Sequence, residues 1–271
     1  TVIDGNSIIA YNQSAIEVEV EPLPDDVVLG PNWINDKMTL VVYAPSQSVM
    51  QVIISPAGEI GSSSDALVMK KASGLDDVWW LELDLALGQY DYEYLLLDGT
   101  RIPDPLSRRM ESNRTRIEIG SGGISTADDY QWQSNSYSRP DLDTLIIYEM
   151  HIDDYAAVGN GQGRFSHIID KLDYIKSIGV NAIELLPITD FPGTHSWGYD
   201  PHLISAVESN YGTPEEFKKL VDQAHLRGIA VIMDIVWNHI RSSSPIWQIQ
   251  PNYELNPYIK LHNELNPNET E

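Results

Sequence analysis

Three clusters of aromatic, acidic and imidazole side chains stand out in the second half of the sequence. They are Tyr148-Glu149-Met150-His151, then His195, Trp197, Gly198, Tyr199 and Asp200, then Asp234, Asn238 and His239. Aromatic faces stack on pyranose rings, while carboxylates, amides and imidazoles bond hydroxyls, so these residue types together suit sugar recognition. Asp234 is the most informative, because a carboxylate inside the apolar run Ile229–Trp237 is costly unless it is hydrogen-bonded. It reads either as a functional acid or as one that fixes neighbouring loops. Asn238 and His239 read as substrate contacts or a strand-end cap, and Trp197 and Tyr199 as sugar platforms or loop packing. Tyr148, Glu149 and His151 read equally as site residues or ordinary wall residues.

Such clusters need a frame that gathers them on one edge. Thr144–Ile152 (TLIIYEMHI), Asn181–Ile188 (NAIELLPI) and Ile229–Trp237 (IAVIMDIVW) read as strands. Between the first two, apolar residues at Phe165, Ile168, Ile169, Leu172, Ile175 and Ile178 have helical spacing, which Gly179 stops. Thr213 as N-cap, Pro214 and the acids Glu215 and Glu216 open a second helix that ends at Gly228. Strand, helix, strand, helix, strand predicts βαβ units around a parallel sheet, the start of either a doubly wound sheet or a (β/α)8 barrel. In βα folds functional groups collect at the carboxyl ends of strands, where all three clusters fall. The run of Gly159, Gly161 and Gly163 lies too far past the first strand for a phosphate loop and reads as a flexible turn.

The first 120 or so residues follow a different grammar. Met38–Ala44, Val49–Ser55, Ala66–Lys70, Val78–Leu85 and Tyr90–Leu97 are short strands, the last ending at the hairpin signal Asp98-Gly99. Their spacing predicts a β-sandwich, with at least one of Trp79 and Trp80 in its core. The expected layout is an N-terminal extension over 1–36, a sandwich over 37–120, a Gly/Ser/Asp/Gln-rich linker over 121–140 and the βα part over 141–271.

Composition narrows the partners. Forty acidic against 17 basic residues give a formal charge of −23, a field that repels a polyphosphate, so nucleic acid is not expected. No apolar stretch approaches the roughly 20 residues of a membrane span. The absence of cysteine excludes disulfides, thiolate metal sites and cysteine nucleophiles. The compartment stays undecided, with a secreted or periplasmic location favoured over a cytoplasmic one. The chain opens on Thr1 without a signal-peptide pattern, which suggests processing or trimming.

D-I-V-W-N-H (Asp234 to His239) resembles the first conserved motif of glycoside hydrolase family 13, the α-amylase family. IYEMHI, IIDKLDYIKSIGVNAIELLPITDFPGTHSWGYDPH and YGTPEEFKKLVDQAHLRGIAVIMDIVWNH extend the likeness over Leu145 to Pro257. The upstream part, especially YDYEYLLLDGTRIPDPLSR, is similar to the immunoglobulin-like domain before the barrel in branching enzymes, isoamylases, trehalohydrolases and related α-amylases. The resemblance implies two domains, an immunoglobulin-like sandwich and the first three or so βα units of a (β/α)8 barrel, acting on an α-glucan. By it, Tyr199 stacks on the sugar beside the scissile bond, His239 bonds the same sugar and Asp234 holds the site together. Trp197 and His151 are further candidates for substrate binding. Asn238 matches a position that helps bind calcium in many members and not in others, so calcium stays open and no other cofactor is implied.

The sequence departs from that family in one large respect. The nucleophile, the acid/base and a second Asp belong after strands four, five and seven, and a retaining glycosidase needs its carboxylate pair about 5 Å apart. Asn256–Glu271 reads as the loop that follows strand three, so no catalytic carboxylate can be carried over. A barrel takes about 250 residues. The chain is therefore expected to be part of a longer enzyme, or a half-barrel completed by another chain or a second copy, or a non-catalytic glucan-binding relative. A separate alternative is an unrelated doubly wound domain. SPAGEIGSSSDALV stands where many relatives carry an Asn-x-Trp turn for starch, so glucan binding by the sandwich itself is doubtful.

Overall fold

The computed structural model describes residues 2–4, 7–9, 16–125, 129–157 and 162–259. Gly159, Gly161 and most of the predicted Asn256–Glu271 loop lie outside them.

Two β-sheets face each other in the first half. One runs in the order Val20–Glu21, Lys70–Ala72, β4 (Val78–Leu83), β2 (Lys37–Tyr43) and β1 (Gly30–Ile34). The other runs Met110–Glu111, β6 (Arg114–Gly120), β5 (Gly88–Leu95), β3 (Gln51–Pro56) and Leu67–Val68. Met38, Leu40 and Val42 from the first sheet meet Val52, Tyr92, Tyr94 and Ile117 from the second in one core, which is the alternation a sandwich requires. The predicted strand Ala66–Lys70 is two strands that belong to different sheets, with buried Met69 at the crossing. Both Trp79 and Trp80 are buried, on opposite faces of β4 and in separate clusters.

In the second half β7 (Ile147–Met150), β8 (Ala182–Leu185) and β9 (Ala230–Met233) form a parallel sheet in chain order. Tyr148, Met150, Ile183, Leu185 and Val231 face the helices, where Phe165, Ile168, Leu172, Ile175, Leu220 and Ala224 complete the core. The strands are shorter than their apolar runs. Leu142–Thr144 is a single 3-10 turn, and His151 caps the short helix α1 (Ile152–Ala156), so the Thr144–Ile152 strand is trimmed at both ends. The predicted helix from Phe165 divides into α2 (Phe165–Ile169) and α3 (Leu172–Ser177). Helix α4 (Pro214–Leu226) starts with the predicted cap, a full capping box between Thr213 and Glu216. Gly163 is no slack turn: a Cβ there would lie 2.1 Å from the Ile152 carbonyl oxygen, so the chain needs glycine to pass α1. Among the described residues no helix is long and apolar enough to cross a membrane.

The halves are tied together at several points. Ile249 is buried in the sandwich core, Gln47 donates to the Ile249 carbonyl at 3.0 Å, and Ser205 donates to the Ser107 carbonyl at 2.8 Å. The connecting segment is strapped to α4 by Asp222, which is fully buried and accepts from Tyr130 Oη (3.1 Å), Gln133 N (3.1 Å) and Ser134 N (2.9 Å). Burial pushes this carboxyl up, but the Ser134 and Gln133 donors outweigh it and hold it below the usual carboxylate range. Asp222→Ala leaves those donors without an acceptor and should cost about 2 kcal/mol. Urea unfolding at pH 7 measures this. An unchanged midpoint would mean that the strap adds nothing to stability.

Candidate active-site face

The predicted clusters meet at the carboxyl ends of the parallel strands. Asp234 sits one residue beyond β9, so it is partly buried and not enclosed in an apolar strand as expected. Its backbone N–H donates to the Leu185 carbonyl at 3.0 Å, and its Oδ2 accepts from the Tyr199 hydroxyl at 2.5 Å. That bond, followed by burial and the Asp234 charge, pushes the Tyr199 phenol up to about 12, so Tyr199 remains a donor throughout the neutral range. The charges of Glu149 and Glu184, neighbours across β7 and β8, act on Tyr199 in the same sense.

His239 Nε2 donates to the Tyr199 carbonyl at 2.6 Å, and the Asn238 side-chain amide donates to His239 Nδ1 at 3.1 Å. Tyr199 is thus held at its ring by one cluster residue and at its backbone by another. His151 is buried. Its Nε2 lies 2.9 Å from both the Ser196 carbonyl oxygen and the Tyr211 hydroxyl, which ties the end of β7 to the loop over 187–211. Trp197 is 63% exposed, on the other side of Gly198 from Tyr199.

The expected long loop has structure of its own. Thr189–Asp190 pairs antiparallel with Leu203–Val207, and the loop's tip is clasped by Asp200 together with side chains that the sequence did not single out. Asp200 accepts from the Ser196 hydroxyl and from Arg241 Nε (2.8 Å), which links the loop to the segment after β9. Burial pushes the Asp200 carboxyl up, yet the Ser196 and Arg241 donors hold it below the usual range. Buried His202 lies 2.8 Å from Asp190 Oδ2 through Nδ1 and 2.9 Å from the Ser243 carbonyl through Nε2. The only signal for these was the density of polar residues in a loop, with no period to assign partners. Trp237, 67% exposed beside Asn238, also went unremarked as a candidate.

Asn238 turns its amide to His239, and among the described residues no three His, Asp or Glu side chains converge.

The pattern described as the α-amylase catalytic domain matches residues 135–260. These residues belong to the α-amylase family. A malto-oligosyltrehalose trehalohydrolase from Saccharolobus solfataricus is 41% identical over 150 residues, 55% of this chain and 25% of that protein. The chain therefore spans about a quarter of that relative's length. Among solved structures, a pullulanase from Bacillus acidopullulyticus is 27% identical with a TM-score of 0.65, over 83% of this chain and 31% of its own. A pullulanase from Anoxybacillus sp. LM18-11, complexed with maltotriose, shares the fold at 21% identity and a TM-score of 0.69, over 90% and 38% of the two chains.

Proposed function

We propose that these residues form an immunoglobulin-like sandwich (37–120) and, after the linker over 121–140, the opening three βα units of a (β/α)8 barrel (141–271). In this reading they position substrate for a retaining hydrolase or transglycosylase of starch, glycogen or maltodextrin. The observation that carries the reading is the hydrogen bond from Tyr199 to Asp234 at the strand ends, with His239 fixing the Tyr199 backbone. A tyrosine held at its hydroxyl and at its backbone presents a fixed face to a pyranose, and fixed orientation raises rate without proton transfer. The family match and the named glucan-active relatives support this choice of substrate.

Each residue has a distinct task. Tyr199 is the stacking platform, Asp234 its anchor, and Trp197 a second face one glycine away. His239 keeps the Tyr199 backbone in place through Nε2 and lies beside the sugar that Tyr199 meets. His151 acts through the loop, since its ring nitrogens are engaged by protein groups. The carboxylate pair that breaks the glycosidic bond is placed on barrel strands outside these 271 residues. Glu149 and Glu184 sit on neighbouring strands of the inner sheet face and have no hydrogen-bond donor among the described residues.

Calorimetry of this chain with maltoheptaose tests the reading. Tyr199→Ala should weaken binding about tenfold, and the chain alone should release no reducing sugar. Unchanged affinity in the variant would remove the carrying observation. Hydrolysis by the chain alone would refute the placement of the carboxylates.

A further inference from the structure

A cavity of about 150 Å³ lies where the Met110–Glu111 strand of the sandwich meets the starts of α2 and α4. We propose that it binds a phosphate group, either free phosphate or a phosphomonoester whose remainder stays in solvent. Arg109 from the first half of the molecule and Arg164 from the second both line it, together with Ser209. An unpaired arginine is unexpected in a chain where 40 acidic residues face 17 basic ones. Yet among the described residues neither guanidinium has a hydrogen bond or ion pair, and the Ser209 hydroxyl has none either.

The two carboxylates of the lining are already engaged. Glu111 lies 3.5 Å from Arg116, and Glu216 accepts from the Thr213 N–H at 2.9 Å. Glu216 thereby caps α4, so side chains and not the end of the helix hold the anion. Both arginines grow from anchored backbone. Arg109 bridges to Val207 and its carbonyl accepts from Arg116 N at 2.9 Å, while the Arg164 carbonyl accepts from His167 N at 3.0 Å. Next to Arg109, Met110 is buried against Leu203 and Ala206, which fixes the two walls to each other. Anchored roots lower the ordering cost of binding. The donor set selects the ligand. One guanidinium fork meets two oxygens at once, so two forks and a hydroxyl call for more oxygens than a carboxylate has. A phosphate supplies them, and its charge of about −1.5 to −2 at neutral pH matches two guanidinium groups. The cavity has room for the phosphoryl group and not for a nucleoside beside it.

Calorimetric titration of this chain with sodium phosphate at pH 7, against chloride of matched ionic strength, tests the site. Wild type should bind one equivalent with a Kd of about 1 mM. Arg109→Ala and Arg164→Ala should each weaken binding about tenfold. Arg139→Ala removes an exposed arginine outside the cavity and should bind as wild type does. Circular dichroism checks that each variant keeps its fold. Arg109→Lys keeps the charge and gives up the fork, so it should lose most of the affinity, and it serves where an alanine variant fails to fold. Thermal unfolding gives a second readout. Phosphate stabilises folded proteins in general, so the site is read as the difference: at about twenty times the Kd, the Tm of wild type should rise about 4 °C more than that of Arg109→Lys. Glycerol 3-phosphate separates the sources, since equal affinity extends the site to phosphomonoesters and a tenfold loss restricts it to free phosphate. No binding to wild type, an equal loss in Arg139→Ala, or acetate bound as tightly as phosphate overturns the proposal.

Discussion

Gly198→Ala should lower the affinity for maltoheptaose about a hundredfold, a larger loss than removing the Tyr199 ring itself. Gly198 has φ of +83°, a left-handed conformation that costs an alanine about 1 to 2 kcal/mol. Space is the heavier constraint: a Cβ would lie 2.5 Å from the Pro187 carbonyl oxygen and 2.8 Å from Pro187 Cβ. Pro187 follows β8 at the root of the loop, so Gly198 has to move. It lies between Trp197 and Tyr199, and any shift pulls Tyr199 away from Asp234 and His239. Gly193→Ala is the control. It shares the loop and a positive φ of +95°, but nothing lies within 4 Å of its Cβ, so it should bind almost as wild type does. Equal losses in the two variants would mean that backbone strain acts and close approach does not. Wild-type affinity in Gly198→Ala would show that the loop does not place Tyr199.

Wild-type stability should fall by about 3 kcal/mol relative to Glu208→Gln as the pH rises from 4.5 to 8. Glu208 is 2% exposed, and burial pushes its carboxyl up to about 7 against the N–H donors of Asn210 (2.8 Å) and Phe191 (3.2 Å). The charge of nearby Asp190 acts in the same direction as burial. Because the folded state holds this proton more tightly than the unfolded chain, the contribution is complete below about 4.5 and is lost as the pH passes 7. Glutamine cannot titrate, so its curve lacks this component, whatever constant penalty its amide introduces. Urea unfolding of both proteins across this range reads the difference between the curves. Parallel curves would show that Glu208 is hydrated and ionises normally. The same titration bears on the site, since Glu208 fastens the loop at Phe191 and Asn210, on either side of Tyr199.

Much of this protein was legible in its residues. The parallel strand order followed from three apolar runs and two helical spacings, because a short β-α-β connection leaves few other arrangements. The start of α4 was legible to the residue, since Thr213 and Glu216 form their capping box from atoms three positions apart. Strand ends were not legible: Asp234 falls just outside β9 because pairing stops with Met233 opposite Leu185, a register set by the partner strand. Nor was the crossing of the sheets at Met69, which depends on two partners distant in sequence.

The sequence by itself determined the element types, the family and the presence of Tyr199, Asp234, Asn238 and His239 near one sheet edge, because local periodicity, caps and motif spacing are written within a few residues. Only the tertiary structure decided that Tyr199 donates to Asp234, that Arg241 clasps Asp200, that Asp222 straps the connecting segment and that Gly163 and Gly198 must be glycines. Those outcomes depend on hydrogen bonds and close approaches between atoms up to about ninety residues apart. Directional contacts of that kind arise only once the elements are packed, and no spacing along the chain encodes them.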